Sequence, residues 1–430
     1  MERLSRAAAG RAAAPVRLVH LGLGGFFRAH QAWYTDRAPD AGEWGIAAFS
    51  GRSAALAEAL DAQDGLYTLV TRAGDGDRYD VIASVVRAHA ATDAEAWLAY
   101  LSAPDVRAVT LTVTEAAYAW DDADVEALRA GAPARSVPAR LLAGLAARRR
   151  ADAGPLTLVP CDNLPGNGAV LARLLGELAD RVDGGLAAWV AASVATATTM
   201  VDRITPRITP DDLRTVERAT GAEDHAPVVT EPFSEWVIAG EFPGGRPHWE
   251  AAGATLTTNA APFERRKLWL LNGGHSLLAY AGSLRGHATV AEAMADATCR
   301  AWLEGWWDEA AAHLDLDAGE YRAALLERFA NPRIQHRLAQ IAADGSQKLP
   351  VRVLPVLRTE RAAGRLPEAA TRILGAWVCH LGEQGVPVDD AGAPPAGDAR
   401  AVLAALDPAL ADDDAVVAAV AAHADELGRP

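Results

Sequence analysis

With 430 residues the chain exceeds the size at which a single hydrophobic core keeps growing, so two domains are expected. Hydrophobic residues make up 50% and charged residues 23%, a balance that excludes a disordered or membrane-embedded protein. A formal net charge of −15 excludes an extended phosphate-binding surface, so no nucleic-acid partner is expected and an anionic ligand needs a local basic pocket.

In chain order, Met1–Ala14 is rich in Arg and Ala and lacks the unbroken apolar stretch of a signal peptide, so it is expected to be a mobile tail. Val16–Leu21, Trp44–Phe49, Val106–Val113 and Leu156–Cys161 are short apolar runs, with helical patterning between several of them at Ser53–Ala62, Asp93–Ser102 and Ala139–Arg149. Buried strands alternating with helices predict a mostly parallel sheet covered on both faces, an α/β domain over residues 15–261. Tyr67–Arg72 and Tyr79–Val85 read as a hairpin around Gly74-Asp75-Gly76, inserted in that alternation. Beyond Pro262 strand signals give way to helical patterns in Phe263–Leu271, Ser276–Ala281, Val290–Glu304, Ala318–Phe329, Ile334–Ala343 and Ala369–Leu381. An all-helical domain is therefore expected over residues 262–430, with Asp389–Asp398 an exposed loop before two last helices, Ala399–Leu406 and Asp412–Leu427. No run reaches the ~18 apolar residues of a membrane span. Cys161, Cys299 and Cys379 have no paired spacing, so neither a disulfide framework nor a cysteine zinc site is expected, and a cytoplasmic protein fits.

Candidate chemistry begins at His20-Leu21-Gly22-Leu23-Gly24-Gly25-Phe26-Phe27-Arg28, directly after the first strand and opening a helix. Glycines there permit a tight turn and let backbone N–H groups approach a pyrophosphate. A glycine-rich strand-to-helix turn without a nucleotide looks the same, and Phe27 replaces the third glycine of the usual fingerprint. The second strand ends in Ser50-Gly51-Arg52-Ser53, with no carboxylate for the adenosine ribose of NAD; Arg52 could meet a 2′-phosphate, so NAD and NADP both stay open. In Lys267-Leu-Trp-Leu-Leu-Asn272-Gly-Gly-His275, helical spacing of about 100° per residue puts Asn272 about 140° and His275 about 80° from Lys267. Three polar groups then share one side of an apolar helix, although a surface lysine before a Gly-Gly break, with Asn and His as caps, reads equally from these residues. Cys161-Asp162-Asn163-Leu164-Pro165-Gly166-Asn167-Gly168 lies just past a predicted parallel strand, where open α/β sheets bind ligands, and also reads as plain loop chemistry. Thr198-Thr199-Met200-Val201-Asp202-Arg203-Ile204 contains an Asp-Arg pair that also reads as a simple ion pair.

Gly22-x-Gly24-x-Phe26-x-Arg28-Ala29-His30-Gln31, Thr112-x-Thr114-Glu115, Cys161-Asp162-Asn163-x-x-x-Asn167-Gly168, Thr199-Met-Val-Asp202-Arg203, Glu231-Pro-Phe233 and Lys267-x-x-x-x-Asn272-Gly-x-His275 together resemble the mannitol dehydrogenase family of long-chain polyol and sugar-acid dehydrogenases. The resemblance runs from about Arg17 to about Arg358. It implies a Rossmann-type dinucleotide domain followed by a helical substrate domain, and NAD- or NADP-dependent interconversion of an alcohol and a ketone. It also implies that Lys267 is the acid/base, that Asn163 and Asn272 hydrogen-bond the reacting oxygen, and that Asn167 is a second candidate for the loop asparagine. His275 would position substrate, Asp202 would help set the lysine, and Glu264 would lie on a proton path to solvent. Gly22, Gly24, Gly25, Phe26, Phe27, Arg28, Thr114 and Glu115, with Arg52, would meet the cofactor.

The chemistry asks for these residue types independently. Oxidising a secondary alcohol needs a base for the hydroxyl proton as hydride leaves the same carbon, and a lysine serves near neutrality once burial or nearby charge lowers its pKa from ~10.4. Two amide donors steady the developing oxyanion without adding charge. No metal ligand set is visible, the eleven histidines being scattered. Asn331-Pro-Arg333-Ile-Gln-His336-Arg337, followed by Lys348, Arg352 and Arg358, gathers basic residues in an acidic protein. A solvated helix face would look the same, but Arg337, Lys348, Arg352 and Arg358 are also candidates to pair a substrate carboxylate, which a sugar acid requires. The expected partner is a small sugar acid or polyol; the basic stretch resembles the fructuronate reductases of that family, which implies fructuronate/mannonate ahead of mannitol/fructose, whereas Leu164-Pro165 resembles the mannitol dehydrogenases. A dinucleotide-binding regulator without catalysis and a phosphosugar enzyme are rivals, and the oligomeric state is open, a monomer included.

Overall fold

Runs of Val, Leu, Ile and Ala with few charges can be buried on both faces, and such runs form the centre of the N-terminal unit. In the computed structural model, which describes residues 2–51 and 53–428, six of them are strands: β1 (Val16–Leu23), β2 (Gly45–Ser50), β3 (Val85–His89), β4 (Ala108–Leu111), β5 (Leu156–Pro160) and β6 (Val194–Thr196). All pair in parallel, in the order β3-β2-β1-β4-β5-β6. That is the doubly wound Rossmann order, with its reversal between β1 and β4. Successive side chains of β1 face opposite layers: Leu18 packs with Phe27, Tyr34 and Trp236, whereas Val19 and Leu21 pack with Trp97, Leu142 and Leu175.

The hairpin forms, Tyr67–Ala73 running antiparallel to Gly76–Ile82, but it lies outside the parallel sheet. Val228–Thr230 pairs with Tyr67–Ala73 to complete a separate three-stranded sheet. The expected strand Tyr79–Val85 is cut at Ala83-Ser84, where Asp36 accepts the Ala83 N–H at 2.9 Å and the Ser84 hydroxyl donates to the Ala32 carbonyl at 2.7 Å. From Val85 the chain enters the main sheet as β3. A third sheet sets Glu235–Ala239 between Thr198–Asp202 and Thr255–Thr257. Its short strands carry little pattern of their own and are defined by their pairing.

The expected mobile tail is folded instead. Glu2–Arg3 pairs in parallel with Ala222–Glu223, and Leu4 is buried against Leu66 and Ala83. The Arg6 guanidinium donates to the carbonyls of Ala83 (2.8 Å), Val85 (2.7 Å) and Asp64 (2.9 Å). One arginine thus satisfies carbonyls from two segments, and an Arg-rich opening had suggested solvent only because composition does not show such partners.

The chain divides into two units, Met1–Ala261 and Pro262–Pro430. Among its described residues the second is helical and has no strand, only an isolated bridge between Thr289 and Arg337. The expected helix Val290–Glu304 is two, Val290–Ala295 and Ala297–Ala311, because the Asp296 side chain accepts the Thr298 N–H and starts a new helix. Asp412–Leu427 forms as Asp414–Leu427, capped by Asp413, and a short helix Pro408–Ala411 that was not expected precedes it. Ile334–Ala343 shrinks to Leu338–Ala342, and the stretch beyond it forms Gly345–Arg352 and Leu354–Ala362. No described helix is long and apolar enough to cross a membrane.

The largest departure concerns the lysine helix. Ala261–Arg266 is α-helical, Lys267–Gly273 is a π-helical segment, and α geometry resumes at Gly274–Leu277. Gly273-Gly274 is therefore no break. A Cβ on Gly273 would lie 2.7 Å from Trp306 Cζ2, and one on Gly274 2.8 Å from Leu303 Cδ1, so both glycines admit the helix Ala297–Ala311 at close range.

Candidate active site

Each unit contributes its own set of groups. In the N-terminal unit a cavity of about 690 Å³ opens at the carboxyl ends of β1, β2 and β4, lined by Gly22, Gly51, Thr112, Thr114, Ser136 and Arg140 among others. Open α/β sheets place their ligands in such a crevice. Gly22 has a φ of 110°, and a Cβ there would collide with the Thr112 carbonyl, so this glycine serves the crossing of β1 and β4. Gly24 caps the following helix with no side chain, and a Cβ on it would meet only the Gly22 carbonyl at 3.5 Å, leaving its backbone open to a ligand. Arg52 lies outside the described residues.

Two residues assigned to the cofactor by resemblance turn inward instead. Phe27 is fully buried and stacks on His20 at 3.5 Å; it occupies the third-glycine position as a packing group. Arg28 is buried over the Tyr67 ring and donates to the carbonyls of Gly24 (3.2 Å), Ala226 and Pro227 (3.3 Å). His20 itself bridges Thr110 (2.8 Å) and Thr112 (3.0 Å), and burial pushes its pKa down to about 3, so it is a neutral strut. Phe26 stacks on His30 at 5.0 Å, Thr114 lines the cavity, and Glu115 is exposed.

The loop after β5 separates its two asparagines. Asn167 is buried, donating to the Thr199 carbonyl and accepting the Thr199 N–H, each at 3.0 Å, which ties β5 to the strand Thr198–Asp202. Asn163 is exposed. Asp162 shapes its turn by accepting the Leu164 N–H at 3.2 Å and the Tyr118 hydroxyl, and burial raises the pKa of both Asp162 and Tyr118. Asp202 is buried at the end of its strand. Its neighbour Arg203 donates to the carbonyls of Ala29 and of Glu231 (3.3 and 3.2 Å) and lies over the Trp33 ring.

In the C-terminal unit Lys267 and Asn272 are half-buried at the two ends of the wide turn, whereas Trp269, Leu270 and Leu271 are buried. A π-turn closes over i to i+5, so residues five apart stand more nearly above one another than α spacing gives. Glu264, half-buried, stands one turn before Lys267. His275 stacks on Phe329 at 4.4 Å and meets His336 edge-on at 4.8 Å. Burial first, then His336, Arg328 and Arg352, push its pKa well down, so the imidazole is neutral, and its Nε2 is buried with no hydrogen-bond partner among the described residues. A buried polar atom without a partner needs an explanation, and a ligand hydroxyl supplies one.

The four basic candidates part company. Arg352 donates to the Asn272 carbonyl (3.3 Å) and the Ser276 hydroxyl (3.2 Å), which sets its guanidinium against the lysine helix. Lys348 instead donates to the carbonyls of Ile341 (3.3 Å) and Ala343 (2.5 Å), and Arg358 is held by Asp407 at 2.6 Å. Arg337 lines a separate cavity with Thr289, Glu292 and Gln335. Arg328, whose charge acts on both His275 and His336, had no sequence signal beyond being one Arg in a helix; His336 lay in the basic stretch but without a role.

A metal ligand set, not visible in the sequence, is gathered by the fold: His287, Asp296 and Cys299 bring ligand atoms within 4.8 Å of one another. The Asp296 carboxylate is shared by Arg285 at 2.6 Å and His287 at 3.0 Å, and a guanidinium there opposes a cation. All three cysteines are buried thiols.

The family model described as the mannitol dehydrogenase Rossmann domain matches residues 16–251, and the mannitol dehydrogenase C-terminal domain matches residues 259–426, beyond the point where the motif resemblance stops. D-arabinitol 4-dehydrogenase of Ralstonia nicotianae is 41% identical over 387 residues, covering 85% of this chain and 82% of that protein. D-mannonate oxidoreductase of Escherichia coli is 36% identical over 364 residues, covering 80% and 75%. Among solved structures, the ternary complex of Pseudomonas fluorescens mannitol 2-dehydrogenase with NAD and D-mannitol matches with a TM-score of 0.82 at 32% identity, covering 96% of this chain and 92% of that one.

Proposed function

The chain belongs to the mannitol dehydrogenase family, and we propose that it uses NAD to interconvert a secondary alcohol and a ketone of an acyclic sugar acid, with D-mannonate and D-fructuronate as the leading pair. The observation that carries the sugar-acid reading is Arg352, a guanidinium hydrogen-bonded to Ser276 and to the Asn272 carbonyl on the helix of Lys267. A second cation, Arg328, acts on His275 from the same unit. In a protein of net charge −15, cations gathered at this helix suit a substrate carboxylate.

NAD, when bound, accepts the hydride. Lys267 takes the hydroxyl proton as the C–H bond breaks and the C=O bond forms, and returns it in the reverse direction, with no metal in the step. The Asn163 and Asn272 amides donate to the oxygen as its charge grows. Asp202 and Glu264 set the lysine and pass its proton on, and the Nε2 of His275 pairs with a neighbouring substrate hydroxyl. Gly24, Gly25, Phe26, Thr114 and Glu115 would hold the cofactor, and Arg52, at a position with no carboxylate, leaves NADP open as a second cofactor.

Following NADH oxidation with fructuronate, tagaturonate and fructose, then repeating with NADPH, tests the reading. Higher kcat/KM on a keto-uronate than on fructose supports it. Preference for fructose would install the second reading, mannitol/fructose, which the likeness to the mannitol 2-dehydrogenase complex favours.

A further inference from the structure

The wide turn that carries Lys267 and Asn272 is an irregularity, and insertions of this kind need outside support because they interrupt the regular i to i+4 ladder. Two consecutive carbonyls in its middle have such support. Trp306 Nε1 donates to the Trp269 carbonyl at 2.8 Å, and Trp307 Nε1 donates to the Leu270 carbonyl at 2.9 Å. Both indoles are fully buried on the helix Ala297–Ala311, and neither donor has water as an alternative. Gly273 and Gly274 complete the arrangement, since any side chain on them would run into Trp306, Leu303 or Trp307. A carbonyl oxygen has two lone pairs, so it can accept an indole N–H in addition to whatever backbone bond it makes.

We infer that Trp306 and Trp307 are positioning residues: their paired indole N–H groups pin the wide turn and thereby keep the Lys267 amine and the Asn272 amide on one face. The inference rests on Lys267 being the acid/base. Without the two donors the turn relaxes toward α geometry, in which residues five apart diverge by about 140°. Amine and amide then no longer address the same oxygen, although neither residue has been changed.

The test compares W306F, W307F and the double variant, which keep an aromatic ring and remove the donor, with W302F on the same helix, whose ring lies against Arg285 and Arg372 instead. The double variant is expected to lose roughly ten- to a hundredfold in kcat, the scale of a small misplacement of reacting groups. Its KM should stay within about twofold of the parent, because the loss falls on the alignment of the reacting groups and not on substrate binding. Its NAD dissociation constant should stay within about twofold of the parent, and W302F should match the parent throughout. A folded double variant with parental kcat overturns the inference, and so does a fall in kcat accompanied by a comparable rise in KM or in the NAD dissociation constant, which marks a merely structural role. Should the double variant not fold, the single variants, each lacking one bond, are judged by the same two readouts. Lys267→Ala, assayed alongside, separates the two levels: full activity there defeats the acid/base reading itself, whereas an inactive Lys267→Ala beside unaltered Trp variants defeats only the positioning role.

Discussion

The two units use their motif residues in opposite ways. In the N-terminal unit many residues that look chemical are struts: His20, Phe27, Arg28, Asn167 and Arg203 are buried and stacked or hydrogen-bonded within the unit. In the C-terminal unit the polar groups of one helix remain half-buried at Lys267 and Asn272, and His275 keeps a buried nitrogen with no hydrogen-bond partner among the described residues. Motif residues thus mark tight knitting of the chain as often as chemistry, and burial among backbone partners marks the knitting.

The sharpest break of that contrast is at Lys267. Lys267→Ala should lower turnover by a factor on the order of 10²–10⁴ while NAD binding, measured by fluorescence titration, stays near the parent value. A variant within tenfold of the parent would place Lys267 among the struts.

The two asparagines of the loop after β5 test the contrast inside one motif. Asn163→Ala should cost roughly 10²–10³ in kcat with an unchanged melting temperature, as loss of an oxyanion donor does. Asn167→Ala should instead destabilise the protein by about 1–3 kcal/mol, because it leaves the Thr199 N–H buried and unpaired. If both variants lose activity and stability alike, the division between them is wrong.

Among the basic residues, Arg352→Ala should raise KM for fructuronate by roughly ten- to a hundredfold and hardly alter KM for fructose. Arg358→Ala, which removes an exposed pair with Asp407, should change neither. Equal effects of Arg352→Ala on both substrates would point to a neutral sugar.

Acid exposes the smallest difference. His336 is pushed down to about 4, mainly by burial, with Arg328 adding to it. In the unfolded chain it titrates near ~6.5, so the unfolded state binds more protons between these values. Stability should be fully present above about pH 6.5 and fall by about 1–2 kcal/mol toward pH 5. Urea unfolding of His336→Gln should show a shallower fall over that window; an unchanged slope would leave the loss to His20, whose pKa is pushed down to about 3 in the other unit.

Much of the fold was legible in the sequence because its cause is local. Apolar runs at Val16–Leu21 and Leu156–Cys161 can be buried only in a sheet covered on both faces, and the helical patterns beyond Pro262 leave no strand to pair. Where a single side chain redirected the backbone, as Asp296 did in cutting one helix into two, the pattern of apolar residues carried no trace of it.

The site divides along the same line. The sequence by itself determined the residue types and their order, since Lys267, Asn272 and His275 share one helix and Asn163 follows a parallel strand whatever the packing. Only the tertiary structure decided that Asn167 is a tie and not a second candidate, that Arg352 alone of four basic residues reaches the lysine helix, and that Gly273-Gly274 receives two indoles instead of ending that helix. The physical reason is that hydrogen-bond partners and close approaches join residues tens of positions apart, Asn272 to Arg352 and Trp269 to Trp306, and spacing along one helix or strand contains no information about what the rest of the chain brings against it.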